Sequence, residues 1–249
     1  MIVNDLLKEK IKKLLKENKL LREELLLINN PSKGQIITKP KTRFYLNDKT
    51  IRLVKRAIER LKSLDPISGW FVHLLSVTGC RGVEMQNIKL DQISKEKGSN
   101  NEVLYSLRVN VAKKRSGVCI REVVISKDEF DAIMRAHKTY FQSKGQDERR
   151  TYLFQKSKIR FRDNKINIKK ITEKFKKLLL KGGFKERKSL HILRNIFIAT
   201  LKSRGYNAFQ IKELMKYSST SEIDNVYGLS HASKIQAYKD IKNSFNKFC

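Results

Sequence analysis

Two arginines embedded in apolar sequence constrain this chain more than any other feature. Arg81 lies in T-G-C-R-G-V-E, just past the almost wholly apolar run W-F-V-H-L-L-S-V-T-G, and Arg194 lies in H-I-L-R-N-I-F-I-A-T. A guanidinium stays charged at any working pH and is costly to bury without an anion. His191 precedes Arg194 by three residues, so the two share one face of a helix. Leu193, Ile196, Phe197 and Thr200 mark the flank of that helix that turns into a core. Tyr227 follows Arg194 by 33 residues. Two arginines, a histidine and a late tyrosine are the parts needed to break and rejoin a phosphodiester without a metal ion or a nucleotide cofactor.

The charge balance points the same way. The chain carries 55 Lys+Arg against 25 Asp+Glu, a formal charge of +30. That balance favours a polyanionic partner, with nucleic acid ahead of a membrane surface; part of the lysine content also fits a compositional habit, alongside abundant Ile and Asn. Hydrophobic residues make up 40% of the 249, enough for a real core, so the chain is not a disordered polycation. The length suits one large domain, or a domain with an appendage. No run reaches the about 18 apolar residues of a membrane span, and no signal-peptide pattern is present. Cys80, Cys119 and Cys249 are odd in number and form no C-x-x-C, which fits a reducing cytoplasm and offers no zinc site. His73, His137 and His231 lack metal-ligand spacing, so no metal and no cofactor is expected.

Residues 4 to 28 show a heptad seam. Leu7, Leu14, Leu21 and Ile28 take the d positions, and Asn4, Ile11, Asn18 and Leu25 the a positions. Asparagine at a costs stability but fixes register, so this segment (residues 1–29) reads as a coiled-coil helix, with an amphipathic helix folded on its own domain as the alternative. Pro31, Gly34 and Pro40 break residues 30–44 into a basic linker. The main domain is expected over 45–249, mainly α with a small antiparallel β-sheet. Asn47 or Asp48 can cap a first helix through I-R-L-V-K-R-A-I-E-R-L-K, and the apolar run from Trp70 makes a buried second one. Strand-like alternation over 103–111 and 119–125 flanks K-K-R-S-G, giving a hairpin with a basic tip. Further helices are expected at about 127–142, 166–181, 191–204, 207–216 and 231–245.

These segments resemble the boxes of one family. T-G-C-R-G-V-E-M-Q-N-I is similar to the first arginine box of the tyrosine recombinases, the phage integrase family, and H-I-L-R-N-I-F-I-A-T to their H-x-L-R-H-x-F-A-T box. L-M-K-Y-S-S-T-S-E-I-D-N-V-Y resembles the stretch that ends in the family's nucleophile, and Y-L-F and later G-G-F match the run-up to the second box. The resemblance covers about residues 45 to 245. It implies a tyrosine-recombinase-like catalytic domain acting on double-stranded DNA as a homo-oligomer, a dimer or tetramer on DNA, with accessory DNA-bending or directionality factors and no membrane.

The resemblance also implies roles. Arg81 and Arg194 would clamp a phosphodiester as it gains negative charge. His191 would accept the tyrosyl proton or hold the phosphate. Tyr227 would attack to form a 3′-phosphotyrosyl link; a phenol with a pKa of about 10 needs a base or cationic pocket to do so. Lys114, with Lys113 as alternative, would protonate the leaving 5′ oxygen from the hairpin tip. Glu84 would orient the arginine or the lysine, although an ion pair between Arg81 and Glu84 also reads as a plain helix-end contact. Three positions depart from the pattern: Tyr217 stands where His or Trp is usual, Lys216 where Gly is usual, and Asn195 where a second His is frequent. Tyr217 can still hydrogen-bond a phosphate oxygen. Family members also carry a helical domain that closes a clamp on DNA, whereas residues 1–44 read as helix plus linker; either pairing of that helix replaces the clamp, or binding relies on partners. The expected activity is site-specific DNA recombination of the kind phages and plasmids use. Telomere-resolvase or type IB topoisomerase-like breaking and rejoining, or a catalytically weak DNA-binding relative, are the alternatives.

Overall fold

The computed structural model describes residues 48–98, 100–112, 117, 119–145, 150–156, 165–184, 190–220 and 223. By its contacts the chain divides into Met1–Thr42 and Arg43–Cys249, and every described residue belongs to the second unit. The heptad helix, the linker and the expected helix at 231–245 lie outside the described residues, as do Lys113, Lys114 and Tyr227.

Helix α1 (Asp48–Leu64) is amphipathic, with Val54, Ala57, Ile58 and Leu61 on its buried face. Helix α2 (Pro66–Thr78) is apolar nearly all round, and it lies at the centre: α1, a long helix α4 (Lys127–Ser143) and helix α6 (Leu190–Ser203) all pack against it. It starts four residues earlier than the apolar run suggested. Asp65 caps it, accepting a hydrogen bond from the Ser68 amide, and Pro66 occupies the first turn, where its missing N–H costs nothing. It ends at Gly79 in the left-handed conformation. A short helix α3 (Gly82–Gln86) follows at once.

The sheet has three antiparallel strands in the order β1 (Ile93–Lys97), β2 (Val103–Asn110) and β3 (Ile120–Ser126). The expected hairpin is β2–β3, in register from Leu104 opposite Ser126 to Asn110 opposite Ile120, and extended by the Val111 amide on the Cys119 carbonyl. Strand β1 had no counterpart in the sequence reading. It is an edge strand exposed along almost its whole length, so it buries no alternate face and leaves no period-2 signal. On β3 the buried phase is Arg121, Val123 and Ile125.

Ser126 opens α4 with a reciprocal cap to Glu129. Leu153 and Phe154 of the Y-L-F segment are fully buried beside His137 and Phe71, and the Leu153 amide bonds the Ile88 carbonyl. Helix α5 (Ile168–Lys181) packs along α1. Helix α7 (Ala208–Met215) joins α6 through a second, smaller apolar cluster of Ile198, Ala199, Ile211, Met215 and Ile223, against which Tyr217 packs. Among the described residues no helix is long and apolar enough to cross a membrane.

Candidate active site

The site grows from the joint between α2 and α3. Gly79 turns the chain with φ 63°, a conformation that costs an L-residue energy and a glycine little. A side chain here would also place a Cβ 2.4 Å from Phe197 of α6, so the close approach of α2 and α6 needs the glycine. Two residues later Arg81 is extended and serves as the N-cap of α3.

Glu84, in the first turn of α3, is the hub. Its carboxylate accepts the Arg81 amide at 2.7 Å, the Arg81 Nη1 at 2.7 Å and the Ala112 amide, at the foot of the β2–β3 hairpin, at 3.2 Å. Arg194 Nη1 approaches its Oε2 to 3.8 Å and Arg121 Nη2 to 3.9 Å. Burial alone would raise the Glu84 carboxyl; the Arg81 amide and guanidinium, with Arg194, hold it below the usual carboxylate range. It is therefore an anion inside a ring of three guanidinium groups, and the cluster keeps a surplus of two positive charges.

Arg194 rises from the first turns of α6 and is only 2% exposed. Its Nη1 donates to the Gly79 carbonyl at 2.6 Å, and its Nε donates to the Tyr217 hydroxyl at 3.0 Å. Its Nη2 is buried with no hydrogen-bond partner among the described residues. Leaving a buried donor unmade costs about 1–3 kcal/mol, and more when it is charged, so this N–H favours an acceptor. The Tyr217 ring lies close to both guanidinium groups, its centroid 4.8 Å from Cζ of Arg194 and 5.9 Å from that of Arg81. Because its oxygen already accepts from Arg194, its own proton remains free to donate. Tyr217 is aimed by Lys216, which holds the left-handed conformation at φ 51° and ends α7. A glycine would take that conformation more readily, which gives a physical reason for the glycine usual at this position.

The structure thus brings together Arg81, Arg194 and Tyr217 around Glu84. His191 lies on the exposed side of the first turn of α6. Asn195 is buried beside Arg194. The hairpin foot is tied to Glu84 two residues before Lys114, and the chain returns to the α6–α7 cluster at Ile223, four residues before Tyr227. The residue that sequence reasoning missed is Arg121. Its signal was present: it falls in phase with Val123 and Ile125 on a strand, so a cation sits on the face that goes inward.

Comparison with known proteins agrees with this fold. The phage integrase family matches residues 43–233. The chain belongs to that family. Its fold is also that of solved recombinases. XerA recombinase is 20% identical with a TM-score of 0.55, over 80% of this chain and 65% of that one. The site-specific recombinase XerH, bound to palindromic difH substrate in a post-cleavage complex, is 15% identical with a TM-score of 0.57, over 84% and 55%. A lambda integrase dimer bound to a COC′ core site is 14% identical with a TM-score of 0.53, over 78% and 62%. The chain spans between 55% and 65% of the length of those solved chains. No curated protein matches it.

Proposed function

We propose that this phage integrase family member is a site-specific DNA recombinase that cleaves and rejoins duplex DNA through a covalent tyrosyl intermediate. One observation carries the reading. Two guanidinium groups from segments 113 residues apart converge on one carboxylate, with a surplus of positive charge and the Arg194 Nη2 donor left open among the described residues. A scissile phosphate supplies the missing acceptor. Arg81 and Arg194 then clamp its non-bridging oxygens, and their hold strengthens as the phosphorus becomes pentavalent and gains negative charge. The Tyr217 hydroxyl, braced by Arg194 Nε, donates to a further oxygen.

In this reading Tyr227 is the nucleophile. Its oxygen forms the new bond to phosphorus, its proton passes to His191 or to water, and the 5′ oxygen leaves with a proton from Lys114. The phosphotyrosyl bond conserves the energy of the one broken, so rejoining needs no further input. The domain division proposed here is a heptad helix over 1–29, a linker over 30–44 and the catalytic domain over 45–249, with paired heptad helices raising affinity for DNA through effective concentration.

The test is a trap. Duplexes carrying bridging phosphorothiolates, drawn from the sequences that flank the gene, are incubated with the chain and resolved on denaturing gels. The expected result is a covalent adduct that peptide mapping places on Tyr227, and that Tyr227→Phe does not form. An adduct on another residue, or none on any duplex that the protein binds, would overturn the proposal. Binding itself should weaken steeply with salt, because each neutralised phosphate contributes about −0.9 to the slope of log K against log salt.

A further inference from the structure

We propose that Arg121 is a positioning residue of this site: a buried guanidinium that ties together the two segments bearing Arg81 and Tyr217 and sets the charge an incoming oxyanion meets. The inference rests on reading the site as a phosphodiester pocket.

Arg121 is 4% exposed and projects inward from β3. Its Nη2 donates to the Thr78 carbonyl at 3.3 Å and contacts the Cys80 sulfur at 2.9 Å. Its Nη1 donates to the Met215 sulfur at 3.3 Å and reaches the Leu214 carbonyl at 3.5 Å. Thr78 and Cys80 flank Gly79, whose carbonyl anchors Arg194, and Cys80 precedes Arg81. Leu214 and Met215 are the last turn of α7, two residues before Tyr217. One planar fork therefore grips both arms of the site from behind. Both terminal nitrogens are committed to protein atoms and the side chain is buried, so Arg121 does not touch substrate.

Its charge is the second part of the argument. An apolar residue in phase with Val123 and Ile125 would fill this position without the cost of a buried cation. Glu84 provides a single negative charge, and Arg81 and Arg194 already exceed it. Without Arg121 the cluster is +1; with it, +2. A phosphodiester carries one negative charge and its pentavalent form two. The third guanidinium thus matches the charge that appears only as the bond is being exchanged, acting through the field rather than by contact.

The test uses the full chain with two probes: inorganic phosphate against chloride at equal ionic strength, and a random-sequence 30-base-pair duplex. Arg121→Gln keeps a donor but removes the charge; Arg121→Lys keeps the charge but removes the fork. Folding is checked by circular dichroism. Arg121→Gln is expected to weaken phosphate binding about tenfold through the lost field, while affinity for the random duplex changes less than about twofold, because the outer surface is intact. Arg121→Lys should recover most of the loss, to within about threefold of wild type. A structural defect alone would not be rescued by charge. An unchanged phosphate affinity in folded Arg121→Gln overturns the proposal; if the glutamine chain does not fold, the lysine chain decides, and a loss of tenfold or more there, where the charge is kept, overturns it. A wild-type chain that does not distinguish phosphate from chloride would instead remove the phosphodiester reading of the site, and this inference with it.

Discussion

Two carboxylates in this molecule collect cations, and they do so to different ends. Asp65, at the start of α2, accepts both Lys156 and Lys174 as well as the Ser68 hydroxyl and amide. Burial would raise its carboxyl, but hydrogen bonds from the two lysines hold it well below the usual carboxylate range. Lys174 is half exposed there. Glu84 is fully enclosed, as are Arg194 and Arg121, while Arg81 stays partly exposed, and three planar guanidinium forks surround the acid instead of flexible ammonium groups. At Asp65 the cations close around the acid and finish a helix cap. At Glu84 three guanidinium groups meet one acid, against two ammonium groups at Asp65, and among the described residues one donor of Arg194 has no acceptor. The first arrangement completes a helix cap; the second, on the function proposed above, is completed by a phosphate.

The comparison breaks most readily at Glu84. Glu84→Gln leaves three guanidinium groups around a neutral amide, and removing one partner of a buried ionic cluster costs about 3–5 kcal/mol. Urea unfolding should show a lower midpoint by that margin with an unchanged slope. Asp65→Ala removes a helix cap worth about 1 kcal/mol and two partly exposed ion pairs worth about 0–1 kcal/mol each. A stability loss at Asp65 equal to that at Glu84 would erase the distinction. The next effect is on activity. Arg194→Lys keeps a charge but cannot serve the Gly79 carbonyl, Tyr217 and an incoming oxygen together; loss of one such donor lowers rate by about 10²–10³-fold. Adduct formation on a trapping duplex is the measurement, and Lys174→Met at the Asp65 cluster is the control, expected to stay within twofold.

How far the sequence disclosed this depends on how much each residue buries. The apolar run of α2 and the alternation of β2 and β3 announced themselves, because both put several large side chains into one core. Arg81, Glu84 and Arg194 were legible as charges in apolar company. Strand β1 was not, since an edge strand with four solvated residues carries no pattern. The true start of α2 was written in Asp65-Pro66, a cap and first-turn pair that the apolar run overshadowed. Arg121 was overlooked for a related reason: the basic hairpin tip drew attention outward, while the one arginine of β3 that points inward is visible only when the strand's phase is followed. The left-handed Lys216 resolves a departure from the family pattern, since its backbone, not its side chain, is what the position demands.

Acid separates the two carboxylates from the rest of the fold. His137 is buried, its Nδ1 donating to the Ile133 carbonyl and its Nε2 accepting the Gln155 amide, so the ring is held neutral. Burial and the nearby Arg150 push its pKa down to about 3 from 6.5. The folded value lies below the unfolded one, so the unfolded chain binds more protons between them, and stability rises with pH across that window. The contribution is full above pH 6.5 and fades as pH falls towards 3. From pH 7 to pH 5 the loss is about 2 kcal/mol. Asp65 and Glu84, both held below their ordinary values, add little over that interval. Stability curves at the two pH values, for wild type and His137→Gln, give the result; a variant as acid-sensitive as wild type would assign the loss elsewhere.

The smallest expected effect lies at the edge of the site. Lys216 holds φ 51° at the end of α7, where an L-residue costs about 1–2 kcal/mol, and among the described residues its side chain gains an exposed contact with Glu213 at 3.5 Å. Lys216→Gly relieves that strain but increases the freedom of the unfolded chain by about 0.5–1 kcal/mol, leaving a net gain of about 0.5 kcal/mol in thermal or urea unfolding. Because Tyr217 follows directly and its amide bonds the Lys212 carbonyl, the turn keeps its shape and Tyr217 keeps its place close to the guanidinium groups. Stability should therefore rise while phosphate affinity stays within twofold, whereas a glycine that loosened Tyr217 would lower both. The stabilised, unaltered pocket is the result that a rigid, anion-awaiting cluster requires. A drop in phosphate affinity would mean that the strained lysine itself holds the tyrosine, and that the site's order comes from its rim rather than from Glu84.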